Sequence, residues 1–427
     1  MTVSATTGTE RAAAARVASA APPAGRLPAL DGLRALAVLA VIAFHFDLGL
    51  GGGFLGVDLF FVLSGFVITR LLLIEHASRG RISLGRFWTR RARRLFPAVL
   101  ALLAVTQLWM RLSATHSLRL TTNAQTLAAL VYGSNWYAIF GNVGYWGTAM
   151  TDAPLNHLWS LAVEEQFYLC WPMVFAGVAA FARSRTVLGA VAALGAAASF
   201  ALAITQWSGD DPDRSYLGTD TRAAALFLGI LVAVITVRAR PCAEGCWDRR
   251  VPAHRARSAA VLTAAAAVAL GMLWVTTRMG RPALHSWQLP LAGLAAALLI
   301  ATVAASGTSP VARVLASRPL VAVGAISYSL YLWHWPVWVF LRRLWPAWDG
   351  PQVAVVALPV SFVLAAASYA LVENPIRHGR ARTTTVVVGL LLVALLLAVS
   401  CAFFQPAPPV AQQSGIVVGL RAPTPTG

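Results

Sequence analysis

The sequence predicts an all-α integral membrane protein, a polytopic bundle of ten core transmembrane helices followed by an eleventh span near the C-terminus. Of the 427 residues, 58% are hydrophobic and only 12% are charged, and the mean hydropathy is +0.67, whereas soluble domains have roughly 25% charged residues. Apolar runs long enough to cross a bilayer recur along the chain. The net charge of +18 lies in short clusters between these runs, which favours membrane topology over a nucleic-acid-binding face.

The predicted spans lie at about residues 29–48, 54–75, 95–112, 157–181, 187–207, 220–237, 259–277, 288–305, 320–341, 353–372 and 384–404. The first 27 residues lack the apolar core of a signal peptide, so we expect 1–27 to be a disordered cytoplasmic tail. The rest divides into a membrane domain at 28–380, an additional transmembrane helix at 381–405 and a short disordered extracytoplasmic tail at 406–427.

Every arginine-rich connection falls on one side of the membrane if the N-terminus is cytoplasmic and residues 125–141 do not cross. The excess of basic residues in cytoplasmic loops favours this topology, in the inner (plasma) membrane. Since 125–141 is short and ends in glycine, asparagine and aromatic residues, we predict a re-entrant or interfacial segment there. Cys242 and Cys246 lie in one such connection without a matching second pair, so we predict no metal site.

The first span carries two ionisable residues on one face. Arg34 and His45 are eleven residues apart, which is about three helical turns and about 16 Å along the axis. Because a charged residue at the bilayer centre costs roughly 2.5–3.5 kcal/mol, such a stripe usually faces other helices or a wet cavity. We predict that the two residues are catalytic; the alternative is an interfacial anchor and a histidine satisfied within the core.

A carboxylate opens the second span. Asp58 follows a glycine-rich segment, at a position where it can pair with His45 and raise the basicity of the imidazole. The alternative is an aspartate that stabilises a helix N-terminus through the helix dipole.

The span that begins near residue 157 carries two adjacent glutamates. The spacings of seven and four residues place His157, Glu164 and Tyr168 on one helix face, whereas Glu165 points about 100° away. Ionisable residues within a membrane span usually mark a functional site, although a glutamate can also simply pair with an arginine. We predict that Glu164, like Asp58, is a catalytic residue that can assist His45.

Further candidates lie in an arginine cluster and in two late segments. The cluster Arg90, Arg91, Arg93 and Arg94 precedes the third span, where it either anchors the chain at the inner face or clamps the phosphates of a cytoplasmic donor such as coenzyme A. The late segments contribute His334, Glu373 and Arg377. The neighbouring tryptophans fit an interfacial aromatic belt, but a histidine inside a span is harder to explain in that way.

Six motifs occur in a fixed order along the chain. They are D-G-L-R-A with a histidine eleven residues after the arginine, G-G-x-x-G-V-D-x-F-F-V-x-S-G-F, F-x-x-R-R-x-R-R-x-x-P, H-x-W-S-L-x-x-E-E-Q-F-Y, S-x-S-x-Y-L-W-H-x-P and E-x-P-x-R. In this combination the chain resembles the acyltransferase-3 family of multi-span membrane acyltransferases over about residues 28–380.

This resemblance implies transfer of an acyl group, acetyl or short-chain, from acyl-CoA to a hydroxyl of a carbohydrate, an envelope glycan or a glycosylated metabolite. By this resemblance, Arg34 and His45 match the functional pair of the family, and the arginine cluster matches its arginine loop. Acyl-CoA would be a co-substrate, with no tightly bound cofactor, and membrane lipid the surrounding partner. Some members carry an extracytoplasmic SGNH hydrolase-like domain after an eleventh span; because this chain stops at Gly427, we expect no such domain.

The alternative function is a multi-span transporter of a small polar or lipid-linked solute, with the ionisable stripe lining its path. It predicts flux of a solute without consumption of acyl-CoA. The sequence shows no clear inverted repeat of the kind found in many transporters, and the motifs favour the enzyme.

Overall fold

The computed structural model describes residues 27–113, 115–141, 153–182, 184–207, 212–237, 253–306, 309–379 and 383–403. Both predicted tails, apart from residue 27, and the pair Cys242 and Cys246 lie outside these residues. The described part of the chain is helical, without strands. Its helices are α1 Pro28–His45, α2 Gly56–Arg79, α3 Leu84–Ser113, α4 His116–Leu130, α5 Ser134–Phe140, α6 Leu158–Phe181, α7 Arg185–Thr205, α8 Asp213–Leu217, α9 Thr219–Thr236, α10 Ala253–Thr276, α11 Leu289–Ser306, α12 Pro310–Leu315, α13 Arg318–Leu344, α14 Gly350–Ser368, α15 Asn374–His378 and α16 Thr383–Phe403.

Eleven of the helices in the described ranges have 18 residues or more, and they lie where the apolar runs predict spans. Nine segments of this part of the chain are long and apolar enough to cross a membrane. The two long helices that fall outside this set are α6, which carries Glu164 and Glu165, and α13, which carries His334; both also contain many aromatic residues. The protein is therefore a polytopic, all-α membrane protein.

The segment 125–141 does not form one continuous helix. The helices α4 and α5 are separated by a turn in which Tyr132 has a left-handed backbone, with φ of 52°. The carbonyl oxygen of Tyr132 accepts a hydrogen bond from the side-chain amide of Gln166 at 2.7 Å. Several polar side chains of α4, including Thr122 and Gln125, are buried. A broken pair of short helices fits the prediction that this segment does not span; its depth in the bilayer stays a prediction.

The sequence predicted that the third span begins at about residue 95, after a connection that contains the arginine cluster. This boundary is wrong. Residues 84–94 belong to α3, which begins at Leu84. The arginine cluster therefore lies on a helix and not in a loop, and helical periodicity decides where each guanidinium points.

The first helix, α1, is packed between α2 and α13. The side chains of Leu33, Val38 and Val41 are completely buried. Helix α2 packs in turn against α9, where Gly65 and Gly229 face each other. A Cβ atom at Gly65 would lie 2.0 Å from the carbonyl oxygen of Leu226, so only glycine permits this separation of the two backbones.

We expect Gly65→Ala to destabilise the protein by about 1–3 kcal/mol, because the added methyl group meets backbone atoms that cannot move independently. The measurement is thermal unfolding of the purified protein in detergent. Gly177→Ala is the matched control, since Gly177 lies within α6 and a Cβ atom there meets nothing within 4 Å. The control should unfold at or above the wild-type temperature. Equal unfolding temperatures for the two variants would contradict the close contact.

Candidate active site

A cavity lies between α1, α2, α3, α6 and α13. It contains about 710 Å³ of atom-free space, including the part that is open to solvent. Its polar lining comes from Arg34, Ser64, Arg91, Arg94, Ser160, Glu164, Tyr168, Ser327, Tyr328 and Tyr331. Five of the predicted site residues thus line one cavity: Arg34, Arg91, Arg94, Glu164 and Tyr168. Three of the four charged residues among them are cationic.

Arg34 enters this cavity from α1. Its Nε donates a hydrogen bond to the hydroxyl of Ser327 in α13 at 3.1 Å. Its guanidinium lies 5.8 Å from the centre of the Phe60 ring, a cation–π distance. Arg34 is half-buried among helices, so its position is that of a cavity residue and not of an interfacial anchor.

Glu164 is held by a short chain of hydroxyl groups. The hydroxyl of Ser64 donates to the carboxylate at 2.5 Å, and the hydroxyls of Ser64 and Tyr168 are 2.9 Å apart. Because Ser64 has a single hydrogen, Tyr168 must be the donor in the second bond. The sequence predicted Glu164 and Tyr168 on one face but missed Ser64, whose only signal is a hydroxyl inside the apolar second span.

The four clustered arginines point in two directions. Arg91 and Arg94, three residues apart, line the cavity, and the Arg91 guanidinium lies 5.8 Å from the ring centre of Tyr168. Arg90 is exposed and lies 3.5 Å from a carboxylate oxygen of Glu75. A separation of three residues in a helix keeps side chains on one face, which explains the division.

Arg93 binds the end of another helix. Its guanidinium donates to the carbonyl oxygen of Ile376 at 2.8 and 3.1 Å and to that of Gly379 at 2.9 Å. These carbonyls lie at the C-terminus of α15, where the last backbone oxygens have no partner within the helix. The prediction that all four arginines clamp one donor is therefore corrected: Arg93 fastens α15 to α3, and Arg90 faces away from the cavity.

Three histidines meet at the other end of α1. The Nδ1 atom of His45 is 2.8 Å from the Nε2 atom of His334, and the two ring planes are within 14° of parallel, with centres 5.1 Å apart. The ring of His157 lies 5.6 Å from that of His334. His157 and His334 are buried, whereas His45 is half-buried. Sequence spacing alone did not predict that these three side chains, from α1, α13 and the residue before α6, form one cluster.

A proline explains how His157 is held. Pro336 has no backbone N–H and so cannot donate to the carbonyl oxygen of Leu332 four residues earlier. That oxygen instead accepts a hydrogen bond from Nε2 of His157 at 3.1 Å. Pro172 frees the carbonyl of Tyr168 in the same way, and the indole N–H of Trp88 donates to it at 3.1 Å. Each proline thereby opens a carbonyl for a contact between helices.

Tyr331 connects the cavity with the histidine cluster. It lines the cavity, its hydroxyl donates to the backbone carbonyl of His157 at 2.9 Å, and its ring centre is 5.4 Å from that of His334. Its own carbonyl oxygen lies 2.6 Å from Nδ1 of His334. Arg34 and His45 therefore face the same helix, α13, at levels marked by Ser327 and His334, which are seven residues or about 10 Å apart along the axis.

The predicted pairing of Asp58 with His45 is wrong. Both carboxylate oxygens of Asp58 lie 3.0 Å from one guanidinium nitrogen of Arg222 in α9, and the two side chains are 4% and 3% exposed. The Arg222 guanidinium is also 4.8 Å from the ring centre of Tyr216. A buried arginine with full charge attracts a carboxylate more strongly than a neutral imidazole does, and this pairing takes Asp58 away from the histidines.

The remaining candidates lie near the cavity without lining it. Glu165 interacts electrostatically with Arg91 and Arg94 from the neighbouring face of α6. Glu373 is buried at the end of the π-helical segment Tyr369–Glu373, which joins α14 to α15, and it interacts with Arg94, whereas Arg377 is exposed. Their roles stay predictions.

Comparison with known proteins shows the family of this chain. Residues 27–372 match a family described as an acyltransferase domain. The chain is 34% identical over 358 residues to a peptidoglycan O-acetyltransferase of Listeria monocytogenes, which covers 82% of this chain and 56% of that protein. It is 36% identical over 356 residues to a putative peptidoglycan O-acetyltransferase of Bacillus subtilis (82% and 55%), and 35% identical over 353 residues to an O-acetyltransferase of Staphylococcus aureus (82% and 57%).

The chain thus spans little more than half the length of these relatives. No solved structure matches it. The matched region contains α1 to α14 and every residue that lines the cavity. By its sequence, its helical membrane fold and the motifs that build its cavity, this chain belongs to the acyltransferase-3 family.

Proposed function

We propose that the protein is a membrane O-acetyltransferase that transfers an acetyl group from an acyl-CoA donor to a hydroxyl of a cell-envelope glycan. The names of the relatives support the acetyl group and the glycan. The observation that carries the proposal is the junction at Tyr331, where a cavity lined by three arginines meets a hydrogen-bonded pair of histidines. Cations suit an anionic, phosphate-bearing donor, and an imidazole suits deprotonation of a hydroxyl.

His45 is the proposed general base. It takes the proton of the acceptor hydroxyl while the oxygen attacks the thioester carbon. A C–O bond forms, the C–S bond breaks, and the proton passes to the departing thiolate to give free CoA. His45 is the more accessible member of the bonded pair, since His334 is completely buried.

Arg34 is proposed to position the donor and not to stabilise the oxyanion. An oxyanion donor must lie about 3 Å from the reacting oxygen. Arg34 forms its hydrogen bond to Ser327 of α13, whereas His45 forms its hydrogen bond to His334 of the same helix. A separation of about 10 Å is too large for both side chains to contact one carbonyl. Together with Arg91 and Arg94, Arg34 fits the phosphate-bearing part of the donor.

An assay that measures both acetyl transfer and solute transport tests the proposal. Membranes containing the protein receive acetyl-CoA labelled in the acetyl group together with peptidoglycan fragments. We expect labelled ester on the glycan and one equivalent of free CoA, both absent from membranes without the protein. Movement of a solute across sealed vesicles without consumption of acetyl-CoA would instead establish the transporter.

Two arginines of the cluster should respond differently to alanine. Arg94→Ala should raise the KM for acetyl-CoA about tenfold or more, since loss of a charge-assisted contact costs about 1.5–3 kcal/mol. Arg93→Ala should leave this KM close to the wild-type value and lower the unfolding temperature, because α15 loses its three hydrogen bonds to α3. Donor titrations and thermal unfolding of both variants make the comparison. A raised KM for Arg93→Ala alone would return Arg93 to the donor site.

A further inference from the structure

The hydrogen bonds around His334 have a fixed direction. A backbone carbonyl oxygen can only accept, so the bond of 2.6 Å between Nδ1 of His334 and the carbonyl oxygen of Tyr331 places the proton on Nδ1. A neutral imidazole carries one proton, and Nε2 of His334 is therefore an acceptor. Because this nitrogen lies 2.8 Å from Nδ1 of His45, the proton of that bond belongs to His45.

The direction of these hydrogen bonds determines which ring nitrogen of His45 carries the proton. With its proton on Nδ1, the neutral His45 ring has a lone pair on Nε2. From these contacts we propose that His334 is a positioning residue that fixes the Nε2-basic tautomer of His45 and stabilises the imidazolium formed when His45 takes the acceptor proton. The inference deepens the proposed function and rests on it.

Proton uptake is compatible with the same hydrogen bonds. When Nε2 of His45 gains the proton from the acceptor hydroxyl, Nδ1 keeps its own proton and its bond to His334. That bond then has a charged donor, which makes it about twice as strong as a neutral one. Return of the Nε2 proton to the leaving thiolate restores the starting state, in which His45 and His334 each keep only their Nδ1 proton.

The rings around the pair favour a single orientation of His45. The plane of the His45 ring is within 14° of that of His334, and the centre of the His45 ring lies 4.8 Å from that of Trp335 and 5.4 Å from that of Phe44. Rotation of the imidazole would break the bond to His334 within this enclosure. The backbone carbonyl of Tyr331 orients His334, and His334 in turn orients His45. A carboxylate orients the histidine of a serine protease triad in a comparable way.

Three variants test the inference in the full-length protein. His334→Leu removes the acceptor, and we expect kcat to fall about 100-fold or more, within the range attributed to general-base catalysis, with an unchanged KM for acetyl-CoA. His334→Gln presents an amide oxygen at the position of Nε2, so its kcat should be at least tenfold higher than that of His334→Leu. His285→Gln is the matched control: it also changes a buried histidine, whose Nδ1 lies 2.8 Å from the hydroxyl of Ser215, away from the cavity. It should keep the wild-type kcat for correctly folded protein.

A second measurement separates positioning from folding. Hydroxylamine attacks acyl groups as a neutral nucleophile without a general base. The protein-dependent acetyl transfer to hydroxylamine, above its direct reaction with acetyl-CoA in membranes without the protein, should therefore be nearly equal for wild type, His334→Leu and His334→Gln. A His334→Leu variant with wild-type kcat for the glycan, equal losses for the leucine and glutamine variants, or an equal loss with hydroxylamine would overturn the inference. Absence of any acetyl transfer by wild type would remove the proposed function itself, whereas an inactive His45→Ala beside fully active His334 variants would remove only the role of His334.

Discussion

Replacement of His45 by alanine is expected to lower the kcat of acetyl transfer by about two to four orders of magnitude, the usual contribution of a positioned general base. The loss should appear in kcat with little change in the KM for acetyl-CoA, because the arginines of the cavity remain in place. His45→Asn sharpens the result. Its amide N–H can still donate to Nε2 of His334 but offers no base at the position of Nε2, so this variant should be nearly as inactive as alanine and more stable.

His76→Ala is the control for this experiment. His76 is half-buried like His45 and lies near the C-terminal end of α2. Its ring contacts that of Phe175, with ring centres 6.4 Å apart. Its loss should leave kcat within about twofold. Steady-state rates with the amount of folded protein measured by gel filtration make the comparison. If His45→Ala keeps more than a tenth of the wild-type kcat, His45 is not the base.

Periodicity explains why the sequence predicted part of the site. The spacing of eleven residues between Arg34 and His45 places both on one face wherever the helix packs, and the structure indeed brings both against α13. The spacing of Glu164 and Tyr168 likewise predicted a shared face, and both line the cavity. Local spacing is sufficient in these cases because the residues belong to one helix.

Contacts between distant helices could not be predicted in the same way. Arg222 lies 164 residues after Asp58, and nothing in the local sequence of either residue identifies the other as its partner. His157 and His334 were candidates without an assigned relation, because their meeting depends on how α6 and α13 pack. The different positions of the clustered arginines could in principle have been predicted, since positions 91 and 94 share a helical face. This prediction required knowing that α3 begins at Leu84, before the apolar run.

The pair of Asp58 and Arg222 should give the largest effect on stability. Asp58→Ala leaves a buried arginine without its carboxylate, and loss of one partner of a buried pair costs about 3–5 kcal/mol. The variant is expected to unfold many degrees below wild type or to fail to accumulate in the membrane. Asp220→Ala is the matched control, because Asp220 also binds an arginine, Arg214, at 2.6 Å in a half-exposed pair. Exposed pairs contribute about 0–1 kcal/mol, so this control should stay close to wild type.

The double variant Asp58→Leu with Arg222→Met distinguishes a structural role from a catalytic one. Replacing a buried ion pair by apolar residues of similar volume is often neutral or stabilising, so the double variant should regain most of the stability lost by Asp58→Ala. Because the hydrogen bonds of Asp58 go to Arg222 and not to His45, the folded double variant should also retain acetyl transfer. A double variant that unfolds at the wild-type temperature but transfers no acetyl group would place Asp58 in catalysis after all. Thermal unfolding and transfer rates measured on the same preparation decide between the two roles.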